Sequence, residues 1–386
     1  MLPKLAVVIT HPIQYYAPIF RLLTERGKVQ VKVFYTWEQA KEKVYDVNFK
    51  REIKWDIPLL DGYEYTFVKN VSTEPGSHHF KGINNPSLIG ELLHYKPDGI
   101  LIFGWSFKSH LQAMRYFKGK VPVLFRGDST LLDDVPGIRS LIRKLFLRWV
   151  YSHVDIALYV GERSKAYFIN NGLVDKQLIF APHAIDNERF KQLSVNFQSE
   201  NNLRKKLKID ENDLVFLFAG KLERKKNPLL LAKAFSKLDL PHTHLVLVGN
   251  GKLEKTLKQE FSGNARVHFV DFQNQKAMPA TYGLADVFVL PSAGPGETWG
   301  LAVNEAMACS KPILVSDKCG CAIDLVEDGV NGYTFQSENE DDLCAKLDVF
   351  SKFSTNELSE MGKKSYEIIQ DWSFDNICNS IESSLH

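Results

Sequence analysis

The stretch "PSAGPGETWGLAVNEAMACSKPILVS", Pro291–Ser316, leads from the end of one apolar run to the end of the next. The run before it, Val287–Leu290, has the length of a buried strand, and a loop rich in glycine and proline follows it. A helical period then begins at Gly300-Leu301, and Pro312–Ser316 is apolar again. Strand, helix and strand in this order predict a β-α-β unit of a parallel sheet that is buried on both faces.

The same alternation of strand-length runs and helical periods extends through the chain and restarts once. A chain of 386 residues is long enough for two cores. We therefore predict an α/β protein of two Rossmann-like, doubly wound parallel-sheet domains. The predicted strands are Leu5–Ile9, Val29–Thr36, Tyr65–Val68, Gly99–Phe103, Pro122–Arg126, Asp155–Val160 and Gln177–Ala181, then Leu214–Ala219, His244–Val248, Val267–Phe272, Ala285–Leu290, Pro312–Ser316 and Gly332–Phe335.

A polar stretch marks the boundary between the predicted domains. Lys191–Asn212 has few bulky apolar residues and carries "SENN" at its centre, so we place the hinge near residue 195. The predicted domains are residues 1–195 and 196–370. The tail from Trp372, "WSFDNICNSIESSL", has a Ser or Asp cap followed by helical spacing, which predicts a final helix within residues 371–386.

Composition excludes several classes of protein. No run approaches the ~18–20 consecutive apolar residues of a spanning helix, and Met1–Ile9 lacks the features of a secretory signal, so we expect a cytoplasmic protein. The net charge of +2 hides an excess of basic residues in the first 190 positions. That excess favours an anionic partner for the first domain, such as a phospholipid surface or a phosphorylated acceptor. We expect no nucleic-acid partner.

Cations follow a predicted strand early in the second domain. In "FAGKLERKKNP" the strand ends at Ala219-Gly220, and Lys221 and Lys226 lie in the loop after it. Open α/β sheets bind ligands at this edge, where fixed cations can neutralise a diphosphate and stabilise it as a leaving group. In "VLVGNGKLEK" a second strand is followed by Gly249, which alone is a weak signal.

Two glutamates flank the start of the helix in the opening stretch. The backbone amides of Trp299, Gly300 and Leu301 form its first turn, which is an anion site. Glu297 lies in the loop before the helix, and Glu305 lies inside it. Carboxylates bind hydroxyl groups, so this pair can grip two hydroxyl-bearing parts of one ligand whose phosphates rest on the helix end. A capping acid and a surface glutamate would give the same pattern.

Together these segments resemble the donor-site block of glycosyltransferase family 4, the retaining enzymes of GT-B fold among the glycosyl transferases group 1. The resemblance is carried by Glu297-x7-Glu305 in "ETWGLAVNEAMA", with "LADVFVLPS", "KPILVSDKCG" and "LVEDGVNGYTF" around it. "GKLERKK" is similar to the motif G-R-L-x-x-x-K, with Lys221 in place of the arginine. "APHAIDNERF" is similar to P-N-G-V-D-x-x-x-F, with His183 in place of the asparagine. The resemblance covers roughly residues 155–336.

The resemblance implies a nucleoside diphosphate sugar bound mainly by the second of two domains that face across a cleft. It implies that Glu305 accepts the ribose hydroxyls, that Glu297 accepts the sugar hydroxyls, and that the anomeric configuration is retained. No metal or cofactor is required in such enzymes, which fits the lack of an Asp-x-Asp pair. The final helix is expected to pack back on the first domain. The expected donor-binding residues are Gly220, Lys221, Lys226, Gly249, Phe272, Gln273, Glu297, Trp299, Gly300, Leu301 and Glu305.

The first predicted strand turns into its helix through "ITHPIQYY", without the glycine of a dinucleotide site. Pro12 is predicted to start the helix. His11, Gln14 and Tyr15 are expected to form one wall of an acceptor pocket, and Trp105 in "FGWSF" another.

The first domain departs from the family at one position. The family often has a histidine after a strand near the cleft, whereas "VLFRGDST" here offers Arg126 and Asp128, and which residue takes that role is open. The expected catalytic residues are Glu297, Lys226, Lys221, Asp128 and Arg126.

The segment "GIRSLIRKLFLRWVYSHV", Gly137–Val154, predicts a basic amphipathic helix. Such a helix either lies on a membrane surface or covers the sheet with its cations in water. The sequence leaves both interpretations open.

We therefore predict a metal-independent retaining glycosyltransferase that moves a sugar from a nucleotide sugar, such as UDP-glucose, to a glycolipid or polysaccharide precursor. It would work in the cytoplasm or at the inner face of the membrane. The alternatives are a sugar-nucleotide epimerase of GT-B fold and a non-catalytic subunit that binds nucleotide sugar. A dehydrogenase is disfavoured because neither domain has G-x-G-x-x-G with an acid about 20 residues later.

Overall fold

The structure, a computed structural model, describes residues 1–38, 44–46, 51–53, 56–196 and 203–385. The chain divides into two compact units. The first unit consists of Met1–Val44, Ile57–His183 and Phe374–His386, and the second consists of Tyr45–Asp56 and Ala184–Ser373.

The strands of the described residues are numbered in chain order. They are β1 Lys4–Ile9, β2 Gln30–Tyr35, β3 Val44–Asp46, β4 Arg51–Ile53, β5 Glu64–Phe67, β6 Gly99–Phe103, β7 Val123–Arg126, β8 Ile156–Tyr159, β9 Leu178–Phe180, β10 Leu214–Ala219, β11 Thr243–Val248, β12 Val267–Val270, β13 Val287–Leu290, β14 Ile313–Ser316 and β15 Gly332–Phe335.

The α-helices of the described residues follow the same numbering. They are α1 Ala17–Arg26, α2 Leu88–Tyr95, α3 Lys108–Phe117, α4 Ile138–Tyr151, α5 Glu162–Asn170, α6 Asn187–Asn196, α7 Leu203–Leu207, α8 Pro228–Lys237, α9 Glu254–Phe261, α10 Met278–Gly283, α11 Leu301–Ala308, α12 Ala322–Leu325, α13 Glu340–Ser351, α14 Thr355–Ile369 and α15 Phe374–Ser383.

The sheet of the first unit has the strand order β5-β2-β1-β6-β7-β8-β9. Its pairings are parallel, with Val7 opposite Val33 on one side and Leu101 on the other. Every residue of β6 is buried because the sheet has a core on each face. The order reverses between β1 and β6, so the carboxyl edge beyond Ile9 and Phe103 is where a doubly wound sheet binds ligands.

The sheet of the second unit has the order β12-β11-β10-β13-β14-β15, again parallel. Its order reverses between β10 and β13, which places the corresponding edge beyond Ala219 and Leu290. The prediction of two doubly wound parallel sheets is confirmed, and the ends of the predicted strands differ from those observed by at most two residues. The short strands β3 and β4, which pair in a separate two-stranded sheet, were not predicted.

The first unit gives way to the second after His183, upstream of the predicted hinge near residue 195. Helix α6 lies in the second unit because its partners are there. Phe190 is buried against the ring of Tyr282, and the Asn187 amide donates to the carbonyl of Ile369. The segment "SENN" lies outside the described residues.

Helix α15 packs on α1 within the first unit. Arg26, in the last turn of α1, pairs with Asp375 at 3.2 Å and with the largely buried Glu382 at 2.9 Å. Ile377 and Ile381 are buried on the same helix. Apolar burial and ion pairs therefore both hold the end of the chain on the first unit.

Helix α1 begins at Ala17, so the prediction that Pro12 starts it is wrong. The carbonyl of Ile13 instead closes a turn by accepting the amides of Tyr16 and Ala17. Pro18 lies in the first helical turn, where a missing N–H removes no helical bond. Because of this turn, His11, Gln14 and Tyr15 lie in the loop between β1 and α1, at the carboxyl edge of the sheet, and not in the helix.

Candidate functional site

Two loops of the second unit meet at the point where its strand order reverses. One follows β10 and carries the lysines, and the other follows β13 and carries Glu297. The carbonyl of Lys225 accepts the amide of Ala293 at 2.9 Å, and the Lys225 ammonium lies 3.3 Å from the carbonyl of Gly296. These bonds join the two loops into one surface.

A buried ion pair lies at the centre of this surface. The Lys226 ammonium is 2.6 Å from the Glu297 carboxylate, which is 6% exposed and also accepts a hydrogen bond from Ser292 at 3.2 Å. Burial lowers the pKa of Lys226, but the charge and hydrogen bond of Glu297 together raise it by more, so this pKa lies above its ordinary value. Lys226 is therefore a fixed cation at neutral pH.

The turn at "KCGC" holds the loop that carries Glu297. The Gly320 amide donates to the Glu297 carbonyl at 3.1 Å, and the Cys321 amide donates to the Trp299 carbonyl at 3.0 Å. A Cβ on Gly320 would lie 1.8 Å from the carbonyl oxygen of Thr298, so the turn requires glycine. The position of Glu297 thus depends on a segment that follows the next strand.

Helix α11 begins directly after this loop. Gly300 precedes it with a φ of 107°. The Val303 amide donates to the Gly300 carbonyl at 2.8 Å, and the amides of Leu301 and Ala302 before it lie at the helix end, where no helical carbonyl precedes them. The Trp299 indole is buried and donates to Asn304 at 2.8 Å, so the indole is part of the core and does not face a ligand. The indole fixes the direction in which the helix leaves the loop.

Glu305 lies on α11, one turn further in. Its side chain is buried and accepts a hydrogen bond from the hydroxyl of Tyr282 at 2.8 Å. Tyr282 is fully buried at the end of α10. The phenol therefore orients a carboxylate that sequence spacing alone could have placed on the surface.

Four further predicted donor residues, Gly220, Gly249, Phe272 and Gln273, lie at the ends of β10, β11 and β12. A Cβ on Gly249 would lie 2.0 Å from the carbonyl of Gly220, so Gly249 is needed for close approach of two strand ends. Asn250 accepts the amide of Phe272 at 2.9 Å and donates to Asp271. The Phe272 amide is thus engaged. The side-chain amide of Gln273 bonds the Asp271 carbonyl at 2.8 Å.

Sequence reasoning missed four residues that shape this site. Ser292 lies two residues after the end of β13, within "LADVFVLPS", which was a local signal. Asn304 lies only five residues after its partner Trp299, whereas Tyr282 and Asn250 had no local signal, because their partners are distant in sequence.

The edge of the first unit has a different chemistry. His11 lies 3.0 Å from the Thr10 hydroxyl and contacts the ring of Trp37 edge-on, and burial lowers its pKa to about 4. Because its pKa is this low, His11 is neutral at physiological pH. Gln14 and Tyr15 lie half-buried in the turn before α1.

A second neutral imidazole lies beneath this edge. The ring of His110 bonds the Thr36 hydroxyl at 2.9 Å and the carbonyl of Phe103 at 3.0 Å. Burial lowers its pKa to about 4. Its δ nitrogen must donate to the carbonyl, because a carbonyl oxygen can only accept. The two bonds of the ring together hold the end of β2 beside the end of β6.

The predicted residues Arg126 and Asp128 have different surroundings. The buried Arg126 guanidinium donates to the carbonyls of Ala181 and Pro182 at 2.7 and 2.8 Å, so it positions the segment that leads to His183. Asp128 is about half exposed, and its carboxylate lies 3.7 Å from the ring of His183. Burial lowers the pKa of His183 below its ordinary value despite this carboxylate. His183, known from the sequence only as a departure from the family motif, thus lies beside Asp128.

Trp105 lies beyond β6 and packs edge-on against Phe146 of α4, with ring centroids 5.5 Å apart. The predicted acceptor residues therefore do not form one cluster. His11 contacts Trp37, whereas Trp105 contacts α4.

The described residues contain neither a cluster of metal ligands nor a membrane-spanning helix. No group of three or more His, Cys, Asp or Glu in these ranges is arranged to hold a metal ion. Within the same ranges, no helix has both the length and the apolar composition to cross a bilayer.

Residues 199–367 match the family Glycosyl transferases group 1. An uncharacterized glycosyltransferase of Methanocaldococcus jannaschii is 27% identical to this chain over 190 residues, which cover 48% of each protein. The N,N'-diacetylbacillosaminyl-diphospho-undecaprenol alpha-1,3-N-acetylgalactosaminyltransferase of Campylobacter jejuni is 26% identical over 213 residues, 54% of each protein. The chain thus spans about half the length of these relatives.

Solved structures match the whole chain. Anabaena HepE in complex with UDP aligns with a TM-score of 0.73 and 18% identity, over 100% of this chain and 99% of that one. HepE in complex with UDP-glucose aligns with a TM-score of 0.69, also at 18% identity, over 99% of each chain. These likenesses show the fold, and the family match confirms the predicted group. Residues 199–367 therefore match the glycosyl transferases group 1 family, and the chain has the GT-B fold.

Proposed function

We propose that this protein is a retaining glycosyltransferase of family 4 that transfers a sugar from a nucleoside diphosphate sugar to a lipid-linked or polysaccharide-precursor acceptor. The observation that carries the proposal is the buried pair of Lys226 and Glu297 where the strand order reverses, next to the first turn of α11. A cation, a carboxylate and a helix N-terminus together suit a ligand that has both phosphates and hydroxyls.

The diphosphate binds to Lys221, Lys226 and the first amides of α11. Lys226 stays protonated because its pKa is raised, so its charge is available throughout the neutral range. When the phosphates arrive, the Lys226 ammonium exchanges part of its contact with Glu297 for phosphate oxygens. The Glu297 carboxylate can then accept hydroxyls of the donor sugar.

The nucleoside binds further along the same edge. Glu305, oriented by Tyr282, accepts the ribose hydroxyls. The base lies against the loop after β12, where Asn250 engages the Phe272 amide. Base recognition therefore falls to the Phe272 carbonyl or to Gln273. UDP is the proposed nucleotide, supported by the UDP-glucose bound in HepE, a protein of the same fold.

In the transfer step, the bond between the anomeric carbon and the β-phosphate oxygen breaks. The acceptor hydroxyl oxygen bonds to that carbon on the same face, and its proton passes to the departing phosphate oxygen. Lys221 and Lys226 stabilise the charge that develops on the leaving diphosphate, and electrostatic stabilisation of this kind is usually the largest single contribution to catalysis. With these cations in place, we propose that the step needs neither a metal ion nor a cofactor.

The acceptor binds along the carboxyl edge of the first unit, which His11, Gln14 and Tyr15 line after β1, Trp105 after β6 and Asp128 after β7. Neutral imidazoles and aromatic rings suit the faces and hydroxyls of sugars. A lipid-linked acceptor is supported by the Campylobacter jejuni relative, whose name specifies a diphospho-undecaprenol acceptor.

Calorimetry with UDP, GDP and ADP, each also as its glucose conjugate, tests the donor site. We expect UDP and UDP-glucose to bind most tightly, and Lys226→Gln to weaken both by at least about tenfold. Arg224→Gln, an exposed change in the same loop, is the matched control and should bind like the parent. Equal binding of UDP by the parent and by Lys226→Gln would contradict the proposal.

Incubation with the donor alone separates the alternatives. A transferase leaves the sugar stereocentres unchanged and releases free sugar only slowly. An epimerase would invert a sugar centre without any acceptor. A non-catalytic subunit would bind UDP-glucose but show no hydrolysis that depends on Glu297.

A further inference from the structure

Helix α4 exposes an unusual apolar stripe to solvent. Six of its large apolar side chains are between 42% and 80% exposed. The residues of this solvent stripe are Ile138, Leu141, Ile142, Leu145, Phe146 and Trp149. Their spacing of three and four residues places them along one face of the helix.

The core side of α4 is a different face. Leu147, Val150 and Tyr151 are buried and repeat with the same helical spacing. At 3.6 residues per turn, this buried face lies opposite the solvent stripe. Helix α4 therefore packs on the first unit through this face, as one of the two interpretations expects, but its larger set of apolar side chains lies on the opposite face and is exposed.

Cations border the solvent stripe on both sides. Arg139 and Arg143 flank it on one side, and Lys144 and Arg148 on the other. Arg143 also pairs with Asp134 at 2.8 Å, and Lys144 bonds Asn170 at 2.8 Å. Long basic side chains beside an apolar stripe can extend toward anionic groups while their stems stay in apolar surroundings.

Neighbouring residues extend this surface. The guanidinium of Arg115, on α3, lies 5.4 Å from the centre of the Trp149 ring. With Lys81 and Lys108, Arg115 lines a cavity of about 450 Å³ between α3 and the loop before α2. On its other side, the stripe contacts Trp105, which follows β6. The surface thus connects a basic cavity to the carboxyl edge of the first unit.

We propose that the solvent stripe of α4 inserts into the interfacial layer of an anionic lipid bilayer, with its flanking cations on the lipid phosphates. An apolar stripe of this length is costly in water, and its basic borders match the charge of such a surface. The proposal rests on the lipid-linked acceptor of the proposed function, because it names the surface that brings the first unit to such an acceptor.

Sedimentation of the full chain with lipid vesicles, without donor, tests the proposal. Vesicles of phosphatidylcholine with phosphatidylglycerol should retain the protein at low salt, and vesicles of phosphatidylcholine alone should retain less. High salt should weaken retention by screening the lipid charge. We expect L141S/L145S to weaken retention by at least about tenfold, because two exposed leucines lose their burial in lipid.

Matched variants separate the stripe from general hydrophobicity and charge. L93S/I169S removes two exposed aliphatic side chains from other helices of the first unit and should bind like the parent. R139Q/R148Q should weaken retention by about threefold or more, whereas K96Q/K176Q, elsewhere on the first unit, should not. Circular dichroism of each variant shows that it is folded.

Two results would overturn the proposal. One is equal retention of the parent and L141S/L145S, and the other is self-association of the parent that L141S/L145S abolishes without any vesicle binding. The second result would assign the stripe to another copy of the chain. UDP calorimetry on the same samples reports the donor site separately, so a failure of the membrane proposal leaves the proposed activity standing.

Discussion

The carboxyl edges of the two sheets have the same strand arrangement and opposite chemistry. In the second unit, the reversal point between β10 and β13 carries full charges, with Lys226 and Glu297 paired at 2.6 Å. In the first unit, the reversal point between β1 and β6 carries the imidazoles of His11 and His110, which burial keeps neutral, and aromatic rings beside them. Doubly wound topology therefore fixes where a ligand binds but not what kind of ligand.

The difference also separates two ways of building a site. At the reversal point of the second unit, Glu297 and the start of α11 are close in sequence and the "KCGC" turn holds them, and Lys226 joins them from the loop after β10. The carboxyl edge of the first unit, which we call the neutral edge after its buried imidazoles, depends on contacts between residues that follow different strands. Asp128, after β7, lies beside His183, after β9. Changes in charge should therefore affect activity mainly at the second unit, and changes in pH should affect stability mainly at the first.

The largest expected effect is that of Glu297→Gln, at the charged carboxyl edge of the second unit. We expect glycosyl transfer to fall by about 10²–10³-fold, because the sugar loses a carboxylate partner and Lys226 loses its counter-ion. Breaking a pair that is this buried should also cost on the order of 3 kcal/mol of unfolding free energy. Turnover assays and urea denaturation measure the two effects. Ser292→Ala, which removes only a 3.2 Å bond to the same carboxylate, is the milder control.

Glu305→Ala should weaken nucleotide binding by about tenfold or more, because two ribose hydroxyls lose a charged acceptor. Tyr282→Phe removes only the hydroxyl that orients Glu305 and should cost a few-fold. Calorimetry with UDP measures both. If Glu305→Ala bound UDP like the parent, Glu305 would have no role in the donor site.

Acid should act on the neutral edge. The pKa of His110 is about 4 in the folded protein and about 6.5 in the unfolded chain, so the unfolded chain takes up the proton first. His110 therefore contributes up to about 3 kcal/mol to the free energy of unfolding. This contribution is fully present above about pH 6.5 and is lost as the pH falls toward 4. Urea denaturation between about pH 7 and pH 5 should show a shallower decline for His110→Gln than for the parent. Identical slopes would contradict this account.

Lys221→Arg should have the smallest effect. Arginine restores the planar fork of the family motif, so we expect UDP to bind up to a few-fold more tightly with unchanged turnover. Calorimetry and initial rates measure this change. A large drop in turnover would show that Lys221 does more than supply charge.

Much of the second unit could be predicted from sequence because its signals are local. Glu297, Glu305 and the start of α11 lie within one helix and the loop before it, so their spacing carried the information. The first unit was harder to predict, since His11 and Trp105 are not in contact with one another but with Trp37 and Phe146. Sequence patterns identify residues at strand ends, but they do not identify the neighbours that those residues meet.

By itself, the sequence determined two parallel sheets, because alternating apolar runs can bury both faces of a sheet only under helices. It also determined where cations and carboxylates follow the strands of the second unit. Only the tertiary structure decided that Tyr282 meets Glu305, that His183 meets Asp128, and which face of α4 looks outward. Helical periodicity places apolar residues on a face, but a helix with two apolar faces needs the packed sheet to decide which of them stays in solvent.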